Sequence, residues 1–302
     1  MSYVHENRIR FFFEAVNKGS VRAAADALDV APSAVSRQIS QLEQELAVTL
    51  IERHRRGIKA TEAGEEVLKY YKAYLIQQEL LLENLQSLQG LQKGHIFIAM
   101  GEGYIDDVAG LLSEFSSQFP EIKLHLSICS SNEVIRKVTE DEAHLGLVFN
   151  PARDPKIRSH LTMDHPLSII LHKEHPLAQI SPIELSQLNQ YRLALTDVSH
   201  GIRQIISQVE NLTGVVLTPT LECNNLSTLK AYAINGGITL LPKFTIEHHA
   251  HLYPDLIALP LHHPTFAQTK SHIITRLGRQ LGNAANTLLH MLVYEMKKRD
   301  HD

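Results

Sequence analysis

The chain has 302 residues, 44% hydrophobic and 21% charged, a composition that suits a folded globular protein with room for two or three cores. Its net charge of −4 excludes a uniformly basic nucleic-acid coat, although a local basic patch remains compatible with it. Cys129 and Cys223 form no metal or redox motif, and no apolar run reaches membrane-span length.

The opening "MSYVHENRIRFFFEAV" carries an acidic residue and too short an apolar block for a secretory signal, so a reducing, cytoplasmic setting is expected. Ile9, Phe12, Phe13 and Val16 recur at helical spacing, and Gly19 closes that first helix. Ser20 stands as the N-cap of a second helix whose apolar face is Val21, Ala24, Ala25 and Leu28. After a break at Asp29-Val30-Ala31, Pro32 opens a third helix where its missing N–H is no loss. Val35, Ile39, Leu42 and Leu46 form the buried stripe of that helix, opposite Ser33, Ser36, Arg37, Ser40 and Gln41.

Two short helices with a tight turn and an outward polar face fit a helix-turn-helix, and equally an ordinary helical hairpin. The next segment separates the two. "LIERHRRGIKATEAG" has hairpin character around Gly57 and gathers Arg53, Arg55, Arg56 and Lys59. A basic hairpin beside such a helix pair reads as a wing that grips phosphates while the helix reads bases.

Thr61 is placed to cap a long helix running to about Gln89. Leu68, Tyr71, Leu75, Leu82 and Leu85 fall near an a/d seam, interrupted by Gln78 and widened by Leu80 and Leu81. A helix this long and one-sided asks for a partner, most simply the same helix of a second copy. Pairing would set two recognition helices about one DNA turn, roughly 34–36 Å, apart.

Gly90 and Gly94 bracket a linker, after which strands alternate with helices. Ile96, Ile98 and Met100 alternate as a strand; 104–119, 131–141, 201–212, 225–235 and 281–298 suit helices. "KLHLSIC", "LGLVF", "LSIILH", "YRLALT", "TPTLEC", "GITLLP" and "SHIITR" suit strands. Repeated βα units predict open, mostly parallel sheets.

Residues 11–64, with "GS" before the second helix, then "AA..L", "AVSRQI..LE..L" and "ER....I..TEAG", closely resemble the LysR-type transcriptional regulators. The resemblance implies an α/β protein overall: a winged helix-turn-helix over 1–61, a linker and dimerisation helix over 62–89, and an effector-binding domain over 90–302. That last domain would be bilobal and periplasmic-binding-protein-like, with lobe I near 94–164 and 268–302 and lobe II near 165–267, joined by crossovers near 162–167 and 263–269. The implied partners are double-stranded DNA carrying an inverted repeat, a small-molecule effector, and the chain itself as a homodimer or dimer of dimers. No cofactor, membrane partner or enzymatic activity is implied. Pro32 departs from the family, in which a glutamine often stands there; base readout then rests on Ser33, Ser36 and above all Arg37.

Ligands in open α/β sheets gather beyond the carboxyl ends of strands, near helix N-termini. Mapped by motif, the family's cleft positions are Gly101, Glu102, Gly103, Ser130, Phe149, Asn150, Thr196, Ser199, His200, Asn224 and Asn225. Helix capping is the competing role for each serine and asparagine. Glu102 stands where the family often has a small or hydroxyl residue, and a carboxylate there disfavours an anionic ligand unless a cation compensates. Arg203 and His200 are the expected compensators, and a zwitterionic or basic effector fits as well as an organic acid.

Other classes fare worse. Among eighteen histidines, His248, His249, His251, His262 and His263 lack the spacing of a zinc set and read as surface residues. Ser199-His200 has no G-x-S-x-G elbow, and "GEGY" is too short for a nucleotide loop. A solute-binding protein would share the two lobes, but residues 1–89 and the absence of a secretory signal argue against it.

Overall fold

The computed structural model describes residues 5–54, 57–88, 93–198 and 200–299, and the chain divides into units of residues 1–82 and 83–302. The first unit holds α1 (Glu6–Asn17), α2 (Val21–Leu28), α3 (Pro32–Leu46), β1 (Ile51–His54), β2 (Gly57–Ala60) and the start of α4 (Glu62–Leu88). Gly19 turns at φ 68° after α1, and Ser20 Oγ accepts the Ala23 N–H at 3.0 Å, which caps α2. Asp29 closes α2 in the left-handed region, and Pro32 sits in the first turn of α3. Phe12, Ala24, Ala25, Val35, Ile39 and Leu42 bury completely between these helices, where the small alanines allow close approach.

β1 and β2 pair antiparallel from Ile51↔Ala60 to His54↔Gly57. Thr61 caps α4 through its hydroxyl, which accepts the Gly64 N–H at 3.0 Å. Leu68 and Tyr71 anchor the start of α4 in the first core, with Tyr71 meeting Phe13 edge-on at 5.2 Å. Further along the helix, Leu81, Leu82 and Leu85 stand 56%, 54% and 49% exposed.

The second unit contains two five-stranded sheets. One runs in the order β4 (Ile122–Ile128), β3 (Gly94–Met100), β5 (Leu145–Phe149), β12 (Lys270–Arg276), β6 (Ile157–Asp164). α5 (Ile105–Gln118), α6 (Ser131–Thr139) and the last helix, α11 (Asn283–Arg299), accompany it. The other runs β11 (Leu256–Pro260), β7 (Leu167–His172), β10 (Ile238–Pro242), β8 (Leu193–Leu195), β9 (Leu221–Glu222). With it go α7 (Gly201–Thr213), α8 (Leu226–Ile234) and the short α9 (Phe244–Glu247) and α10 (Pro264–Ala267).

The sheets are mixed rather than mostly parallel. β3 is parallel to β4 and β5, and β8 to β9 and β10, but β12 runs antiparallel to β5 and β6, and β7 to β10 and β11. The reversed strands, β7 and β12, are those that follow the two passages between sheets, a two-residue link at 165–166 and a segment at 261–269 that carries only the four-residue α10. No helix among the described residues is long and apolar enough to cross a membrane.

Candidate DNA interface and effector cleft

In the first unit, Ser33, Arg37 and Ser40 are exposed on α3, while Ser36 and Gln41 are half-buried. Arg53 and Lys59 are exposed on the two strands of the hairpin, and neither they nor Arg37 forms an ion pair among the described residues. Arg55 and Arg56, expected at the hairpin tip, lie outside the described residues. Three exposed, unneutralised cations on one helix and one hairpin can each meet a phosphate or a base edge.

The hairpin is aimed by a residue that the sequence reading passed over. Glu43 Oε1, on α3, accepts the N–H groups of Leu50 and Ile51 at 2.8 and 3.3 Å, tying the start of β1 to the helix before it. Arg8 and Glu45 add an ion pair between α1 and α3. The "LE..L" spacing contained this signal, since Glu43 follows Leu42 on the helix turn that faces the strand.

In the second unit, the expected cleft residues fall into distinct groups. Asn225 is the N-cap of α8: its Oδ1 accepts the Thr228 N–H at 2.8 Å and the Thr228 hydroxyl at 2.7 Å. Asn224 ties neighbouring loops together, its Oδ1 accepting the Asp197 N–H at 3.1 Å and its amide donating to the Asp197 carboxylate. Phe149 is buried in the core, and its carbonyl accepts the Ser131 hydroxyl at 3.0 Å. Asn150 is exposed at φ 44°. Ser130 is the N-cap residue of α6 without a capping bond from its side chain.

Thr196 is 1% exposed, and its hydroxyl finds no partner among the described residues. The same holds for Nδ1 of His200, the N-cap residue of α7. Burial holds the His200 pKa below the ordinary histidine value, with Asp197 and Glu102 pulling weakly the other way, so the ring is neutral near pH 7. Ser199 lies outside the described residues.

Glu102 binds across to the other sheet's helices. Its Oε1 accepts from Asn225 Nδ2 at 3.0 Å and from both the N–H and the hydroxyl of Ser227 at 3.1 Å, while Oε2 accepts the Leu226 N–H at 2.8 Å. These donors form the first turn of α8, so the carboxylate caps a helix from the opposite lobe. Beside this contact Gly103 packs closely on the short α9. A Cβ on Gly103 would stand 3.1 Å from Thr245 Cγ2 and 3.5 Å from the Phe244 ring.

Arg203 does not compensate Glu102 as expected. Its guanidinium binds Glu210 at 2.6 Å and Ser207 at 2.9 Å, because residues four and seven apart share a helix face. Glu210 in turn accepts the Leu217 N–H at 2.8 Å. His248 and His249 are likewise not surface histidines. Both bind the Asp107 carboxylate, at 3.1 and 2.8 Å, which is 1% exposed and must be paired where it is buried. Burial raises the Asp107 pKa, but the two imidazole hydrogen bonds outweigh it and hold the carboxyl below its usual range.

Residues 7–65 match the model of the bacterial regulatory helix-turn-helix proteins of the lysR family, and residues 89–297 that of the LysR substrate binding domain. The transcriptional activator CmpR of Synechocystis is 26% identical over 291 residues, spanning 95% of this chain and 94% of its own length. A full-length OxyR variant from Pseudomonas aeruginosa superposes with a TM-score of 0.67 at 17% identity, covering 98% of this chain and 96% of that one. The regulatory domain of CcmR from Synechocystis, solved with 2-PG, gives 0.58 at 22% identity over 67% of this chain and 97% of its own. With both its helix-turn-helix and its α/β domain matched in order, the chain belongs to the LysR family of bacterial transcriptional regulators.

Proposed function

We propose that this regulator reads an inverted repeat in double-stranded DNA, with one α3 per subunit in the major groove and the β1–β2 hairpin on the flanking phosphates. The observation that carries this reading is the exposed, unneutralised set Arg37, Arg53 and Lys59, with Glu43 fixing the hairpin to the helix. Ser33, Ser36, Ser40 and Gln41 share the reading face, and Arg55 and Arg56 extend the phosphate contact. Pro32 donates nothing to a base, which leaves Arg37 as the principal direct reader. The exposed Leu81, Leu82 and Leu85 of α4 pair with the same helix of a second copy and space the two half-sites.

The domain assignment follows: residues 1–61 read DNA, 62–89 dimerise, and 90–302 bind an effector between two α/β lobes. The CcmR regulatory domain carries 2-PG, and a small molecule in the corresponding cleft of this chain is the equivalent role. Thr196 and His200 offer that molecule buried polar atoms, and Gly101, Gly103, Ser130, Asn150 and Ser199 are further candidate contacts of the same cleft. The effector regulates only through different affinities for the two DNA-binding arrangements. Nothing in this scheme requires a reaction or a cofactor, and the named relatives are regulators.

The deciding experiment is selection and sequencing of genomic fragments retained by the purified protein at near-physiological salt. Enrichment of a few intergenic regions sharing an inverted repeat is expected. Salt-sensitive retention without any shared motif would overturn sequence-specific reading.

A further inference from the structure

We propose that Glu102 is the specificity-determining residue of the cleft: its carboxylate fills the donor set at the start of α8 as a tethered anion and so excludes free carboxylates and phosphates from that position. This rests on the reading of the cleft as the effector site. Leu226 N–H, Ser227 N–H, the Ser227 hydroxyl and the Asn225 amide all converge on the two oxygens of Glu102, at 2.8 to 3.1 Å. The first turn of a helix leaves its N–H groups without internal partners and carries partial positive charge, so it holds a carboxylate well. Here the carboxylate belongs to the chain, from a residue more than a hundred positions away in sequence.

No lysine or arginine among the described residues forms an ion pair with Glu102, so its charge is balanced by these hydrogen bonds and the helix dipole. The cation expected from the sequence, Arg203, is held by Glu210. An incoming anion therefore meets a position whose donors are already taken and a negative charge with no side-chain cation beside it. It must displace a group whose tether gives it an effective concentration on the order of millimolar or above. The same four bonds join the turn after β3 to α8, and Gly103 packs against Phe244 and Thr245 beside them, so the occupant also holds the two lobes together.

The test uses acetate and inorganic phosphate as probes, titrated calorimetrically into the full chain at constant ionic strength. The unsubstituted protein is expected to show no saturable binding of either. Glu102→Ala vacates the position, and acetate binding about tenfold or more tighter is expected, as charge-assisted bonds form to the freed donors. Adding Ser227→Ala to Glu102→Ala deletes one of the four donors and should reduce that gain, which locates it.

Equal acetate binding by the unsubstituted and Glu102→Ala proteins overturns the proposal. So does a Glu102→Ala protein that retains DNA as the unsubstituted chain does yet ignores both probes. The unsubstituted chain supplies a separate test in case the variant does not fold: saturable probe binding weakened by Ser227→Ala also overturns it. Failure of the unsubstituted chain to retain specific DNA would count against the regulator reading instead.

Discussion

A Cβ atom on Gly57 would stand 2.3 Å from the carbonyl oxygen of Gly19, the same oxygen that accepts the Ile58 N–H at 3.0 Å. The hairpin is thereby locked to the turn between α1 and α2, and Gly57 adopts φ 127°, a conformation unfavourable for residues with side chains. Gly57→Ala is expected to destabilise the first unit by about 1–3 kcal/mol and to weaken DNA binding through a displaced hairpin. Thermal unfolding and a DNA titration check this; unchanged values in both would contradict the locking role.

Removing Arg53 and Lys59 together should lower the salt slope of DNA binding by about 0.9 for each lost phosphate contact, with sequence preference retained. Arg37→Ala should cost about 1–3 kcal/mol and relax preference at one base pair of each half-site. Binding isotherms at several salt concentrations, on matched and mismatched sites, separate these outcomes. Uniform weakening by Arg37→Ala would place that guanidinium on a phosphate.

Leu82→Glu with Leu85→Glu puts charges on the exposed apolar stripe of α4, and dissociation of the dimer is expected. Sedimentation velocity reads the change directly. Retention of the dimer would move the interface elsewhere.

Glu210 answers the part-buried Arg203 cation and the Leu217 N–H at once. Glu210→Ala leaves the Leu217 N–H without its acceptor and the Arg203 guanidinium with only the Ser207 hydroxyl, and is expected to cost about 3 kcal/mol, seen as a lowered calorimetric transition of the effector domain. A loss below about 0.5 kcal/mol would mean that water replaces the carboxylate, as at exposed pairs.

Stability should also fall with pH through His165. Burial, reinforced by nearby His248, holds its pKa down to about 4. An unfolded histidine titrates near 6.5, so below that value the unfolded chain takes up a proton that the folded chain refuses. The contribution is therefore complete above pH ~6.5 and is lost progressively toward pH 4, by about 3 kcal/mol at most. Asp107, held below its usual range, loses its contribution only at lower pH, as it protonates. Urea unfolding between pH 7.5 and 5 checks the first window, and His165→Gln should flatten the slope.

The helical periods, caps and turns of the first unit were legible in the chain itself. Ser20, Pro32 and Thr61 act on neighbours a few residues away, and local chemistry of that kind is written in the order of side chains. The alternation of helix and strand in the second unit was legible for the same reason. The direction of β7 and β12 was not, because strand polarity depends on where the chain crosses between sheets and not on any local pattern.

The charged residues mark the limit most clearly. Glu102 called for a positive partner, and Arg203 was the obvious cation in sequence. Only the folded backbone shows that Arg203 turns along its own helix to Glu210, while Glu102 reaches the first turn of α8 in the other lobe. The partner proved to be two backbone N–H groups with the Asn225 amide and the Ser227 hydroxyl beside them, and backbone N–H groups, which every residue but proline possesses, are announced by no sequence motif. The sequence by itself determined the elements and the family, because those follow from short-range periodicity and capping. Tertiary structure alone decided the pairings across the cleft, because they depend on which helix end the fold brings within hydrogen-bond reach.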